Sequence, residues 1–224
     1  MMQVIEYPDS EMMMLDLADA LTSELADALR RNDRATLSVP GGTTPGPIFD
    51  VMSEQALDWD RVSVVLNDER WVPGDHPRSN TRLLRERLLI SRAAAATLVP
   101  LYADAATPED AMDGLIDGVR SHLPISVLLL GMGADMHTAS LFPGADNLAA
   151  ALDDDAPPLM AMRAEGAGEP RVTLTAPVLK TAMSTHIVIT GAEKRAALDR
   201  ASSLPVMEAP IRAVLSGATV HWAK

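Results

Sequence analysis

Val127-Leu128-Leu129-Leu130-Gly131-Met132-Gly133-Ala134-Asp135-Met136-His137-Thr138-Ala139-Ser140-Leu141-Phe142-Pro143-Gly144 is the stretch that decides how the chain is read. Four aliphatic residues run into glycine, which is the mark of a strand buried on both faces of a parallel sheet. Loops leaving the carboxyl ends of such strands are where open α/β sheets hold their ligands. The small residues that follow let backbone approach a bound molecule closely. His137 stands two residues after Asp135 in that loop, the best context of the five histidines. A glycine turn with a histidine that only packs would look the same in isolation, so function has to be argued from the other loops that reach the same edge.

Outward from this stretch, strands and helices alternate. Glu11 to Arg31 carries Met14, Leu17, Leu21, Leu25 and Ala28 at helical spacing, with Ser10 as the candidate N-cap. Ala35 to Val39 is a short β-prone run, followed by a helix through about Gln55 with Thr44 as its cap and Pro45 at its first position. Val62 to Leu66 is a second apolar strand, Ser79 caps a helix from about Asn80 to Leu89, and Thr97 to Leu101 is a further short strand. Thr107-Pro108-Glu109-Asp110 opens a helix that feeds the central strand, and His122 at its end suits the helix dipole. Beyond Gly144 the pattern gives strands at Leu159 to Arg163 and Thr185 to Thr190, a turn-rich loop from Glu165 to Pro170 that delivers Arg171 to Thr175, and helices opened by Pro177 and Gly191. A short helix at Pro210 to Leu215 and a final strand, Ala218 to Trp222, at the edge of the sheet complete it. His186 and His221 fall within strands and read as structural, and His76 as a loop residue. The architecture expected is a single α/β domain over residues 1–224, a mostly parallel sheet with helices on both faces.

Composition narrows the function classes. The chain has 224 residues, 47% of them apolar but only 3% aromatic, so Leu, Val, Ala and 13 Met must fill the core. It has no cysteine, which excludes disulfides, a thiol nucleophile and thiolate-ligated metals. A formal net charge of −12 opposes binding to nucleic acid or an anionic membrane, whereas a small anion needs only a local basic pocket. Met1 to Ser10 shows no basic segment followed by an apolar one and no window approaches 18 apolar residues, so a cytoplasmic protein without a membrane span is expected.

Three more stretches reach the carboxyl edge. Pro40-Gly41-Gly42-Thr43-Thr44-Pro45 joins a strand to a helix start, an anion-binding geometry of exposed N–H groups, hydroxyls and a positive dipole end. It lacks the Gly-Lys-Ser/Thr of a nucleotide loop. Asn67-Asp68-Glu69-Arg70-Trp71-Val72-Pro73 places three charged residues at a strand's carboxyl end. Lys194 lies in the first turn of a helix, where a cation is unfavourable unless an anion sits nearby.

Taken in order, the Gly-Gly-Thr-Thr-Pro loop, Asn67 to Pro73 with Ser79-Asn80, and Gly131 to Gly144 resemble the 6-phosphogluconolactonase family. Arg171-Val-Thr-Leu-Thr and Gly191-Ala-Glu-Lys-Arg look like its later motifs. The resemblance implies a modified Rossmann-like fold, shared with glucosamine-6-phosphate deaminases, and hydrolysis of 6-phospho-D-glucono-1,5-lactone in the pentose phosphate pathway. Two positions depart from the family pattern. Met136 stands where Gly is usual, which excludes a conformation open only to glycine. Pro40 stands where Ser is usual, removing a hydroxyl and an N–H.

These residues suggest direct attack of water on the lactone carbonyl. His137 would be the general base, Asp135 its orienting partner, and Arg70 would stabilise the oxyanion. Gly41, Gly42, Thr43, Thr44, Arg171 and Lys194 would hold the 6-phosphate. Asp68 and Glu69 would position sugar hydroxyls or Arg70, with Asp68 also an alternative base. Ser140 lacks the Gly-x-Ser-x-Gly elbow of a serine nucleophile. No metal or other cofactor is expected, and the partner is a small phosphorylated lactone, bound by a monomer or small homo-oligomer. Two alternatives are weaker. A glucosamine-6-phosphate deaminase would carry Asn-Glu-Pro where this chain has Leu141-Phe142-Pro143, and a sugar-phosphate-sensing regulator would need a DNA-binding segment where there is room for one acidic helix.

Overall fold

The structure is a computed structural model and describes residues 2–224. The aliphatic runs form the middle of a seven-stranded sheet in which every neighbouring pair is parallel. Its strands are β1 (Gln3–Glu6), β2 (Ala35–Val39), β3 (Val62–Leu66), β5 (Thr97–Val99), β6 (Val127–Gly131), β9 (Ser184–Thr190) and β10 (Thr219–Ala223), in the spatial order β1-β10-β9-β6-β2-β3-β5. Side chains alternate between faces along a strand, yet β2 and β3 are buried at every position and β6 at all but Gly131, so both faces of the sheet are covered.

The covering helices are α1 (Ser10–Arg31), α2 (Gly46–Glu54), α3 (Asn80–Arg87), α4 (Pro108–Arg120), α5 (Leu148–Leu152), α6 (Ala176–Lys180) and α7 (Ala192–Ala201). In α1 the buried Met13, Met14, Leu17, Leu21 and Leu25 repeat at helical spacing, while Met12 and Leu15 face outward. Its cap is Asp9, whose side chain accepts from Met12 N at 2.8 Å, and Ser10 is already helical. Thr44 likewise caps nothing, because α2 starts one residue after Pro45 without a side-chain cap. Ser79 does cap α3, accepting from Arg82 N at 3.3 Å. Residues Pro210–Val214 form a 3-10 turn in place of the expected short helix. None of the described helices is long and apolar enough to cross a membrane.

The sheet departs from the sequence reading in two places. The strand ending at Ala223 is internal, because Gln3–Glu6 pairs outside it and takes the edge. Asp68–Arg70 is no loop but a strand, β4, which pairs antiparallel with β8 (Arg171–Leu174), itself paired with β7 (Leu159–Met162). The buried Asn67 is where the chain leaves one sheet for the other. Its N donates to Val39 O at 2.9 Å, its Oδ1 accepts from Ser38 Oγ at 2.7 Å, its Nδ2 donates to Leu129 O at 2.8 Å, and its O accepts from Leu174 N at 2.8 Å. All these bonds satisfy groups that burial would otherwise leave unpaired. Between β2 and β6 the strand order reverses, the position at which an open α/β sheet parts to admit a ligand.

Candidate active site

A cavity of about 400 Å³ opens at that reversal, lined by the loops after β2 and β6, by the small sheet, and by the start of α7. Gly41, Gly42, Thr43, Thr44, Asp68, Arg70, His137, Arg171 and Lys194 all line it, so nine of the candidate residues drawn from five separate stretches of sequence converge.

The loop after β6 builds a dyad. Its turn closes through Gly133 N to His137 O and Met136 N to Gly133 O, both 3.0 Å. Met136 adopts φ 66°, so the left-handed turn that glycine would take freely is kept here by a methionine, at a cost of about 1 kcal/mol. The backbone is secured by Ile211 N donating to Met136 O at 3.0 Å. Within the turn His137 Nδ1 lies 2.5 Å from Asp135 Oδ1. A carboxylate accepts there, so the ring proton belongs on Nδ1 and Nε2 carries the free lone pair. The hydrogen bond from His137 holds the Asp135 carboxyl below the usual carboxylate range, with burial opposing it. The Phe142 ring packs against the imidazole at 4.5 Å between centroids. Gly133 is required behind the dyad, because a Cβ there would overlap His137 Nδ1 and Cε1 and Asp135 Oδ1.

The small sheet builds the cationic wall. Antiparallel register sets Arg70 opposite Arg171 and Asp68 opposite Thr173. Two like charges on one ladder are unfavourable unless each is engaged. Arg70 Nη1 donates to Arg78 O at 2.7 Å and Asn80 Oδ1 at 2.8 Å, and Arg171 reaches Asp68 Oδ2 at 3.4 Å and Ala167 O at 3.2 Å. Both Nε–H groups remain buried and unpartnered. Lys194, half-buried in the first turn of α7, makes no ion pair with a described residue. The lining therefore carries three cations against the single carboxylate of Asp68, on a chain whose net charge is −12.

Two candidates sit elsewhere in the arrangement. Glu69 does not line the cavity. Its buried carboxylate accepts from Arg70 N (2.8 Å), Asn80 N (2.8 Å), Thr81 N (2.7 Å) and Ser79 Oγ (3.0 Å), so it caps the start of α3. Asp135 stands behind His137. Ser140 is fully buried and donates to Asp68 Oδ2 at 2.6 Å. Asn80 and Phe142 also line the cavity, named in the sequence only within the motifs of the resemblance and given no role there. Asn80 ties Arg70 to Asp68 O, donating to the latter at 2.9 Å, and its carboxamide fills the space a side chain on Gly41 would need. The signals for it were its place just after the helix cap and in the Ser79-Asn80 pair of the resemblance.

The sequence matches the family of glucosamine-6-phosphate isomerases/6-phosphogluconolactonases over residues 8–222. It is 42% identical over 230 residues to 6-phosphogluconolactonase of Rhizobium meliloti, covering 99% of this chain and 98% of that one. Identity to the 6-phosphogluconolactonase of Pseudomonas aeruginosa is 40%, over 92% of this chain and 88% of the relative. The crystal structure of a 6-phosphogluconolactonase from Shewanella baltica OS155 superposes with a TM-score of 0.96, at 31% identity and over 100% of this chain and 98% of that one. A match spanning almost every residue, joined to loops that meet at one cavity, means that the chain belongs to the glucosamine-6-phosphate isomerase/6-phosphogluconolactonase family.

Proposed function

We propose that the cavity hydrolyses 6-phospho-D-glucono-1,5-lactone to 6-phospho-D-gluconate, with water as the nucleophile. The observation that carries this reading is the His137–Asp135 dyad at 2.5 Å, which leaves His137 Nε2 unprotonated on a side chain lining a cavity rich in cations. A water held between Nε2 and the lactone C1 passes its proton to Nε2 as its oxygen attacks, and Asp135 stabilises the resulting imidazolium. The carbonyl electrons move onto oxygen, where Arg70 and neighbouring backbone N–H groups receive the charge. When the oxyanion collapses, the bond from C1 to the ring oxygen breaks and His137 returns its proton to that leaving oxygen. The new acid ionises to the carboxylate.

The phosphate end is assigned to Gly41, Gly42, Thr43 and Thr44 before α2 and to Lys194 at the start of α7, with Arg171 supplying charge from the small sheet. Asp68 orients Arg171 and accepts from Ser140, a positioning role. The names of the relatives favour the lactonase over the deaminase. So does the chemistry of residues 141–143, where Leu141 is fully buried, the Phe142 ring packs at a tilt against His137, and no carboxylate is present for the proton transfers of amine loss. Measured lactone hydrolysis above the spontaneous rate, with no ammonia released from glucosamine 6-phosphate, tests the assignment. Ammonia release without lactone turnover would reverse it.

A further inference from the structure

The opposite, amino edge of the sheet holds a second cavity, of about 390 Å³, lined by the starts of β2 and β3 and the approach to β6. It is polar where it meets the sheet. Thr36 and Ser63 stand side by side in the β2–β3 register. Thr36 Oγ1 donates to His122 O at 2.6 Å, and Thr36 N donates to Ser126 Oγ at 3.1 Å, which leaves the Ser126 proton free. Ser63 is 1% exposed, and its hydroxyl has no hydrogen-bond partner. A buried hydroxyl left unpaired costs about 1–3 kcal/mol, so it calls for a partner that the polypeptide does not supply.

The rim is cationic. Arg34 and His122 line the same space, and no Asp or Glu does. Arg34 forms no ion pair with a described residue. It is close enough to His122 that its charge adds to burial in holding the imidazole below its ordinary range. The imidazole is thereby kept neutral and able to donate, and Arg34 is the one charge on a lining that offers no carboxylate to offset it.

We propose that this amino-edge cavity is a second anion site, taking a phosphate group, free or on a small ester, between Arg34, His122 and the hydroxyls of Ser63 and Ser126. It is independent of the reading of the carboxyl edge, since it shares no residue with the cavity there. Arg34 supplies the charge, the two hydroxyls and the neutral imidazole donate hydrogen bonds, and several donors arriving from different strands suit a tetrahedral group.

The test is NMR of the histidine rings in the full chain, with the His122 resonance identified by its loss in His122→Gln. Inorganic phosphate and glycerol 3-phosphate are titrated separately against chloride at matched ionic strength. The expected result is a saturable displacement of the His122 resonance by at least one of the two phosphates, the responding probe identifying the free ion or the ester as the source. Arg34→Gln and Ser63→Ala should each weaken that titration by about tenfold, and Lys194→Ala, which alters the other edge, should leave it unchanged. Displacement that grows equally with chloride overturns the site, as does unchanged affinity in either Arg34→Gln or Ser63→Ala, or loss of the titration in Lys194→Ala.

Discussion

Gly133→Ala isolates the geometry of the dyad without deleting either member. Gly133 is outside the left-handed region, so alanine meets no backbone penalty there. The added methyl lands on His137 Nδ1 and Cε1 and on Asp135 Oδ1, and these atoms must retreat to reach ordinary contact at 3.4 Å or beyond. The retreat is on the order of 1 Å, and a misplacement of that size costs about 10²-fold in rate. Binding of the phosphate lies on other loops, so kcat should fall by about 10² with KM little changed. Stopped assays of lactone hydrolysis, corrected for the spontaneous reaction, measure this, and a thermal melt near that of the parent shows that the fold is intact. A folded Gly133→Ala protein with near-parental kcat would refute the claim that the 2.5 Å pairing of His137 with Asp135 sets the rate.

Lys194→Ala should raise KM by about 10- to 100-fold with kcat nearly kept, the effect of one charged contact to a phosphate remote from the reacting carbon; an unchanged KM places the phosphate elsewhere. Glu69→Ala should lower stability by roughly 3 kcal/mol in urea titrations, because it strands three backbone N–H groups and the Ser79 hydroxyl at the start of α3; a variant as stable as the parent but inactive would make Glu69 a catalytic residue instead. His221 gives a stability dependence on pH. Its Nδ1 lies 2.9 Å from Tyr7 Oη, its Nε2 faces His186 Nδ1 at 2.9 Å, and His186 Nε2 faces Glu24 at 3.0 Å. Burial, then His186, brings the His221 pKa down to about 4 from 6.5. The unfolded chain binds the proton first, so stability is full above pH 6.5 and falls as pH drops toward 4, by about 3 kcal/mol at about 1.4 kcal/mol per pH unit. His221→Gln should flatten that part of the profile, and equal slopes in both proteins would remove the assignment.

Much of the fold could be read in advance because strands buried on both faces must be aliphatic throughout, as Val62 to Leu66 and Val127 to Leu130 are. What escaped follows from the same physics. Gln3–Glu6 has no fully buried residue, so nothing in its composition marks it as the edge strand that encloses Thr219–Ala223. Asp68–Arg70 is three charged residues long, and its strand character comes only from pairing with Arg171–Leu174 about a hundred positions away. The candidate site was legible where residue type and position agree, at His137 beside Asp135 and at Lys194 in a helix's first turn, both lining residues of one cavity. It was not legible where identical chemistry serves different ends. Asp68 and Glu69 are adjacent carboxylates, yet one lines the cavity and the other caps a helix, because alternate residues of a strand point to opposite faces. Met136 is a further case, since the turn that glycine favours is held by surrounding hydrogen bonds instead.

The most direct test of the account is the pH–rate profile of lactone hydrolysis in the parent and in His137→Ala. The neutral imidazole is the active form, so the parent's kcat should rise with pH as histidine loses its proton and then level off. His137→Ala should be folded, slower by about 10²–10⁴-fold, and without that limb once spontaneous hydrolysis is subtracted at every pH. A folded His137→Ala protein that keeps near-parental kcat and the same rising limb would contradict the account, and would move the base to Asp68.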